Sequence, residues 1–241
     1  MQNRYVGDVG DFGKLGMLRC IERTGLRVGI NWYLVKDETH NDDGKHIGYL
    51  QDRKFVGLDE ELRRSLAFLI YNNSRSVEQL EGQNLLQTGI YYHEILSPVS
   101  NAICQMRSAW HQKALEHMKG SELVFLDPDN GLLPKSVGRG SAKSVKYVLA
   151  DEIIDYFEAG HSVVFYSHRT REQLKDYLCR FNILFDNLKS EGATIVGVSF
   201  KRGTVRDCFF ILHEEHKDRV LKGIENLLMS NWNLHFSIIE I

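Results

Sequence analysis

The stretch Glu122 to Gly131, ELVFLDPDNG, constrains the fold more than any other part of the chain. Leu123-Val124-Phe125-Leu126 is a short apolar run of β-formers. Periodicity alone does not separate a buried strand from a buried helix segment. The length of the run, and the break after it, predict a strand covered on both faces. Pro128 lacks an amide donor and Gly131 tolerates positive φ, so Asp127-Pro128-Asp129-Asn130-Gly131 must turn. Two carboxylates and an amide are then released at the carboxyl end of a central strand, where open α/β sheets bind ligands. The plain alternative is that these five residues are turn chemistry and nothing more.

Further strands are predicted at Arg27–Val35, Gly89–Leu96, Ser162–Tyr166, Ala193–Phe200 and Arg206–His213, with 234–241 a last strand or tail. Helices are predicted over Asp11–Arg23, Leu58–Tyr71, Ser97–Met118, Val148–Ala159, Thr170–Phe185 and Lys217–Met229. Asp11 is expected to cap the first, and Thr170 with Gln173 to box the fifth. In the Ser97–Met118 helix, Ile103, Met106, Trp110, Ala114 and Met118 form the expected core stripe, with His111 and His117 at the surface. The last two long strands are joined closely enough for an antiparallel hairpin. The fold class expected is therefore α/β: a Rossmann-like, mostly parallel sheet, helices on both faces and a C-terminal antiparallel hairpin. One domain over residues 1–241 is expected, with a mainly helical insertion at about 50–88.

Three features point to chemistry. Lys14 falls in the first turn of its helix, where the dipole disfavours a cation, which marks it for a contact elsewhere. Lys36 to His46 is the most polar stretch of the chain, runs straight out of a strand, and carries Asp37, His40, Asp43 and Gly44. Buried acids at that density need a metal, Lys, Arg or backbone amides as partners; a solvated loop is the alternative. His168 stands at the end of Ser162–Tyr166 and is the histidine best placed for function.

The net charge of −2 and pI near 6.6 give no global basic footprint. A basic loop at 135–146, with Lys135, Arg139, Lys143 and Lys146, could still gather phosphate or simply be soluble. The four cysteines show no CxxC and read as buried free thiols in a reducing compartment. No apolar run approaches ~18 residues and no signal-peptide core is present, so a cytoplasmic protein without a membrane span is expected.

The order of elements and the FLDPDNG stretch resemble S-adenosylmethionine-dependent methyltransferases, and most closely the amino-group methyltransferases of nucleic acids, such as the ribosomal RNA adenine-N6 type. In those, an N-terminal segment with Asn, Phe, Asp and Lys contributes to the cofactor pocket. The resemblance places that role on Asn3, Asp8, Asp11, Phe12 and Lys14, and the catalytic Asp/Asn-Pro-Pro-aromatic motif on Asp127-Pro128-Asp129-Asn130. It implies S-adenosylmethionine as cofactor and a nucleic acid or nucleotide as partner. Asp127 would accept from the substrate amino group, Asn130 would position it, Asp37 would take the ribose hydroxyls and Gly44 would admit a close ligand. The second proline is here Asp129, the aromatic is Asn130, and the glycine-rich loop after the first strand is absent. The whole chain is also similar to a group of bacterial and phage proteins sharing the NRYVGDVGDFGK, HNDDGKHIGYL and FLDPDNG stretches, a likeness that implies a fold more than an activity.

Two other functions suit the residues. Asp37, His40, Asp43, Asp127 and Asp129, with His168, could hold divalent Mg or Mn in a hydrolase, phosphoesterase or nuclease, with Lys14, Lys45 or Arg202 assisting. A non-catalytic binding module on a methyltransferase-like scaffold is the third, because fold does not fix function.

Overall fold

A computed structural model describes residues 1–38, 44–97, 103–169, 171–202 and 204–241. Its centre is a seven-stranded sheet. The strands are β1 (Val28–Asn31), β2 (Ile90–Tyr92), β3 (Leu123–Leu126), β6 (Ser162–His168), β7 (Thr194–Arg202), β8 (Thr204–Leu212) and β9 (Phe236–Ile239), in the order β2-β1-β3-β6-β8-β7-β9. Strands β2, β1, β3 and β6 run parallel, with Asn31 opposite Leu126 and Leu126 opposite Phe165. From β6 outward the pairing is antiparallel: β8 on β6, β7 on β8 and β9 on β7. The antiparallel part thus comprises three strands, and β9 takes the edge expected for the pair before it. Two further short strands, β4 (Gly131–Leu132) and β5 (Tyr147–Val148), pair with each other beside the sheet.

The buried run in β3 divides between two faces as the period of two requires. Leu123 and Phe125 enter a core with α1 (Val9–Glu22), α2 (Glu60–Tyr71) and α8 (Glu214–Met229). Val124 and Leu126 enter a second core with α4 (Ile103–His117), α5 (Ala150–Glu158) and α7 (Asn182–Ser190). Helices therefore cover both faces. Between β1 and β2 lie two 3-10 turns at Gly48–Leu50 and Arg53–Phe55, then α2 and α3 (Val77–Glu81).

Several local expectations shift. The first helix starts three residues early, because Asp8 and not Asp11 caps it, accepting from the Asp11 amide at 3.0 Å. The helix expected over 170–185 is two, α6 (Leu174–Leu178) and α7, with the break at Cys179–Phe181; Thr170 lies outside the described residues. On α4 the expected stripe holds at Trp110 and Ala114, and at Met118 just after the helix, but not at Met106. Met106 is 45 % exposed, whereas Arg107 and His111 are buried beside Trp110. Arg107 is kept inside by a bidentate contact with Glu152 at 2.6 and 2.8 Å, and His111 by a bond to Asp155 at 2.9 Å. Of the cysteines, only Cys208 is fully buried; Cys104 and Cys179 are exposed, and all four are free. Among the described residues no helix is long and apolar enough to cross a membrane.

Candidate functional site

The carboxyl ends of β1, β3 and β6 face the same way, and the antiparallel β8 begins at that rim, where Arg206 pairs with His168. The amino end of α1 lies over the rim. Together they line a cleft of about 470 Å³. Asp8, Asp11, Lys14, Gly44, Asp127, Asp129, Asn130 and His168 all stand on its wall. The sequence placed these residues on separate segments; the strand ends and the start of α1 bring them together.

Asp127 is the first residue after β3, and its amide donates to the Asn31 carbonyl at 2.9 Å, tying the turn to β1. Its carboxylate is 2 % exposed and takes both oxygens' bonds from Lys14 Nζ, at 3.0 and 2.8 Å. Lys14 also reaches Asp11, three residues back, at 2.9 Å. The contact sought for Lys14 is therefore Asp127. Burial opposes the charge on Lys14, but Asp11 and Asp127 outweigh it and hold the ammonium protonated. Burial also pushes the Asp11 and Asp127 carboxyls above their ordinary value, against the pull of the shared lysine. Burial would raise Asp129 too. There the ammonium of Met1 at 2.8 Å, Gln2 Nε2 at 2.7 Å and Lys146 prevail, and the carboxyl sits below its ordinary value.

The turn itself is held from both sides. The Asn130 amide donates to the Lys146 carbonyl at 3.0 Å, and the His168 amide to the Asn130 carbonyl at 3.3 Å. Gly131 has φ +106°, and a Cβ there would lie 2.5 Å from Ser167 Oγ, so both conformation and space demand glycine. The Asn130 side chain is exposed at the rim. His168 Nδ1 lies 3.3 Å from Tyr166 Oη.

Gly44 lines the cleft, but its reason is internal. It has φ +87°, and a Cβ would lie 2.3 Å from the Arg4 carbonyl oxygen. Two expected residues stand elsewhere. Asn3 Oδ1 accepts from the Val77 amide at 2.9 Å and so caps α3. Asp37 is exposed and accepts from the Arg4 amide at 3.3 Å; its neighbour Glu38 faces the cleft and pairs with Lys146. His40 and Asp43 lie outside the described residues. Among the described residues no three His, Cys, Asp or Glu side chains form a metal-binding group.

Sequence reasoning missed Tyr166, Glu38, His46 and Arg206 on the wall. Arg206 is 10 % exposed at the side chain and lies 3.9 Å from Asp8. An alternating polar residue inside an otherwise apolar strand was the available signal. It also missed the clamp behind the turn. Arg107 donates to the Ser144 carbonyl at 2.8 Å and the Tyr147 carbonyl at 2.6 Å, fixing the segment that carries Lys146. Of the basic loop, Arg139 pairs with Asp151 and Lys146 with Glu38.

No family model matches the sequence, and no curated protein matches it. Among solved structures, the chain is similar to a DUF519 protein of Legionella pneumophila str. Philadelphia 1, with a TM-score of 0.51 over 97% of this chain and 96% of that one. The likeness is one of fold. At 10% identity it covers the architecture and assigns no activity.

Proposed function

We propose that the cleft is the ligand site of a methyltransferase-like enzyme that acts on an amino group of a nucleotide or nucleic acid, with S-adenosylmethionine as donor. One observation carries the reading: the cleft opens at the carboxyl ends of β1 and β3, from which the strand order departs in opposite directions. That is the ligand position of doubly wound sheets. The order β2-β1-β3-β6-β8-β7, parallel and then antiparallel, supports the same scaffold.

The donor set fits the cofactor. Five carboxylates on the wall (Asp8, Asp11, Glu38, Asp127 and Asp129) face the Met1 ammonium and the side chains of Lys14, Lys146 and Arg206, an excess of one negative charge that suits a cationic nucleoside better than a polyphosphate. Asp8 would meet an ammonium, Arg206 a carboxylate and Glu38 the ribose hydroxyls, while Asp129 stays with the Met1 ammonium. When bound, the group supplies an electrophilic methyl. Lys14, gripped by Asp11 and Asp127, keeps the floor of the cleft rigid, so positioning is the main contribution. Asn130 Oδ1 at the rim would accept from the acceptor's amino group, and His168 Nε2 would take the proton that leaves the nitrogen.

A divalent ion would be drawn by the same charge. Asp127 and Asp129, however, already hold ammonium groups at 2.8 Å, and a metal would have to displace them. Thermal unfolding separates the readings. S-adenosylmethionine at ~100 Kd should add about 2.7 kcal/mol, a rise in Tm of roughly 5–10 °C for a chain of this size. A rise with Mn²⁺ or Mg²⁺ alone would transfer the site to the metal-dependent alternative, and no rise with any of them to the binding module.

A further inference from the structure

Beyond Asn130 and His168 the wall of the cleft turns into a second groove, of about 690 Å³. The two spaces share those two residues and differ in everything else. One wall is Leu132, Leu133 and Pro134, directly after the DPDNG turn. Across from it, at the α6–α7 break, stand Tyr177, Phe181 and Ile183. Ile183 is 67 % exposed although it lies beside buried Phe181 and Leu184. Tyr147, partly exposed, presents a ring to the same space.

Charge in the groove is sparse. Arg180 is bound by Glu172 at 2.6 Å. Lys135 is exposed and has no ion-pair partner among the described residues. Asp176 is the acid on the lining. An anionic group therefore has one place to go, the Lys135 end.

We propose that this groove binds a free mononucleotide: its base between the apolar walls, its exocyclic amino group toward Asn130 and its phosphate at Lys135. The volume falls in the range of small-ligand sites, and the lining sets apolar walls at Leu132, Leu133 and Ile183 against polar groups that include Asn130 and Lys135. A flat ring gains from tyrosine and aliphatic walls. A side-chain amide offers an acceptor and two donors to a base edge. A polynucleotide suits the place less well, because the groove opens into a cleft with a surplus of carboxylates and offers its phosphates one uncommitted cation. Binding in the groove does not depend on the cofactor; only the naming of the mononucleotide as methyl acceptor rests on the methyltransferase reading.

The test is calorimetric titration of the full chain with AMP, CMP, IMP and UMP, with adenosine, and with a 12-nucleotide single-stranded RNA. The same is done for Ile183→Asp and Lys135→Glu, whose side chains are exposed. AMP and CMP should bind, and IMP and UMP, which lack the amino group, should bind roughly tenfold more weakly. Ile183→Asp should weaken AMP about tenfold, and Lys135→Glu should weaken AMP and leave adenosine unchanged. Absence of mononucleotide binding, equal affinity of AMP for wild type and Ile183→Asp, or RNA binding more tightly than AMP would each overturn the assignment. Thermal shift with S-adenosylmethionine on the same variants keeps the two claims apart. A lost cofactor shift with AMP binding intact removes the methyltransferase reading and leaves the groove.

Discussion

The acidic cleft and the apolar groove share a boundary at Asn130 and His168 and are built in opposite ways. The cleft is walled by strand ends and the start of α1, and its charges are locked into pairs: Lys14 with Asp11 and Asp127, Lys146 with Glu38. The groove is walled by a loop and a break between two short helices, and its hydrophobic side chains include one left in water. In the cleft, charged side chains hold one another; in the groove, Lys135 and Ile183 stand exposed beside buried Tyr177 and Phe181 and the paired Arg180. The difference teaches that one turn can be held by ion pairs on one face and border an exposed surface on the other. Mutations should therefore cost stability on the cleft side and binding on the groove side.

The largest break in that comparison should come from Lys14→Met. It leaves two buried carboxylates without their ammonium and should cost about 3–5 kcal/mol by urea unfolding. Adding Asp127→Asn to it should recover part of the loss, since one uncompensated charge is then gone. Arg107→Leu is expected to cost nearly as much, because Glu152 would remain 5 % exposed with no partner cation. The turn that both spaces share comes next: Gly131→Ala forces a side chain onto φ +106° against Ser167 and should cost about 1–3 kcal/mol. On the groove side Ile183→Asp should change stability by no more than ~0.5 kcal/mol. An equal cost for Lys14→Met and Ile183→Asp would erase the distinction.

A pH series sharpens the same point at the opposite end of the sheet. Burial holds His161 and His216 below their ordinary value of 6.5. The unfolded chain then binds the proton more readily, so their contribution is complete above about pH 6.5 and is lost as the pH falls below it. Asp11 and Asp127 act with the opposite sign. Burial raises their folded-state value above 3.8, so the native state takes the proton more readily there and these groups weigh against folding as the pH rises through that range. Urea midpoints should accordingly fall from pH 7.5 to pH 5.5, and His216→Gln should flatten that slope.

Much of this arrangement was legible. The apolar run 123–126 and its forced turn named the central strand and the rim at its carboxyl end, and the position of His168 found a wall residue; Lys14 was singled out for standing in the first helical turn, but the helix starts at Val9 and puts it in the second. Single-residue register was not legible. Nothing in the α4 sequence says that Arg107 turns inward in place of Met106, because the reason is Glu152, 45 positions away. The choice of Asp8 over Asp11 as cap is local by contrast: Asp11 is drawn off by the Gly7 amide at 3.0 Å and by Lys14, four residues before it and three after it. Glu38 in place of Asp37 follows from where an irregular segment comes to rest, for which sequence periodicity carries no signal.

Calorimetric titration with S-adenosylmethionine at pH 7.5, on wild type and on Glu38→Gln with Arg206→Gln, tests the central claim most directly. The claim predicts one molecule bound per wild-type chain, with affinity lowered at least tenfold when the two wall charges are removed. No heat of binding in the wild type, or full affinity in the doubly substituted chain, would contradict it.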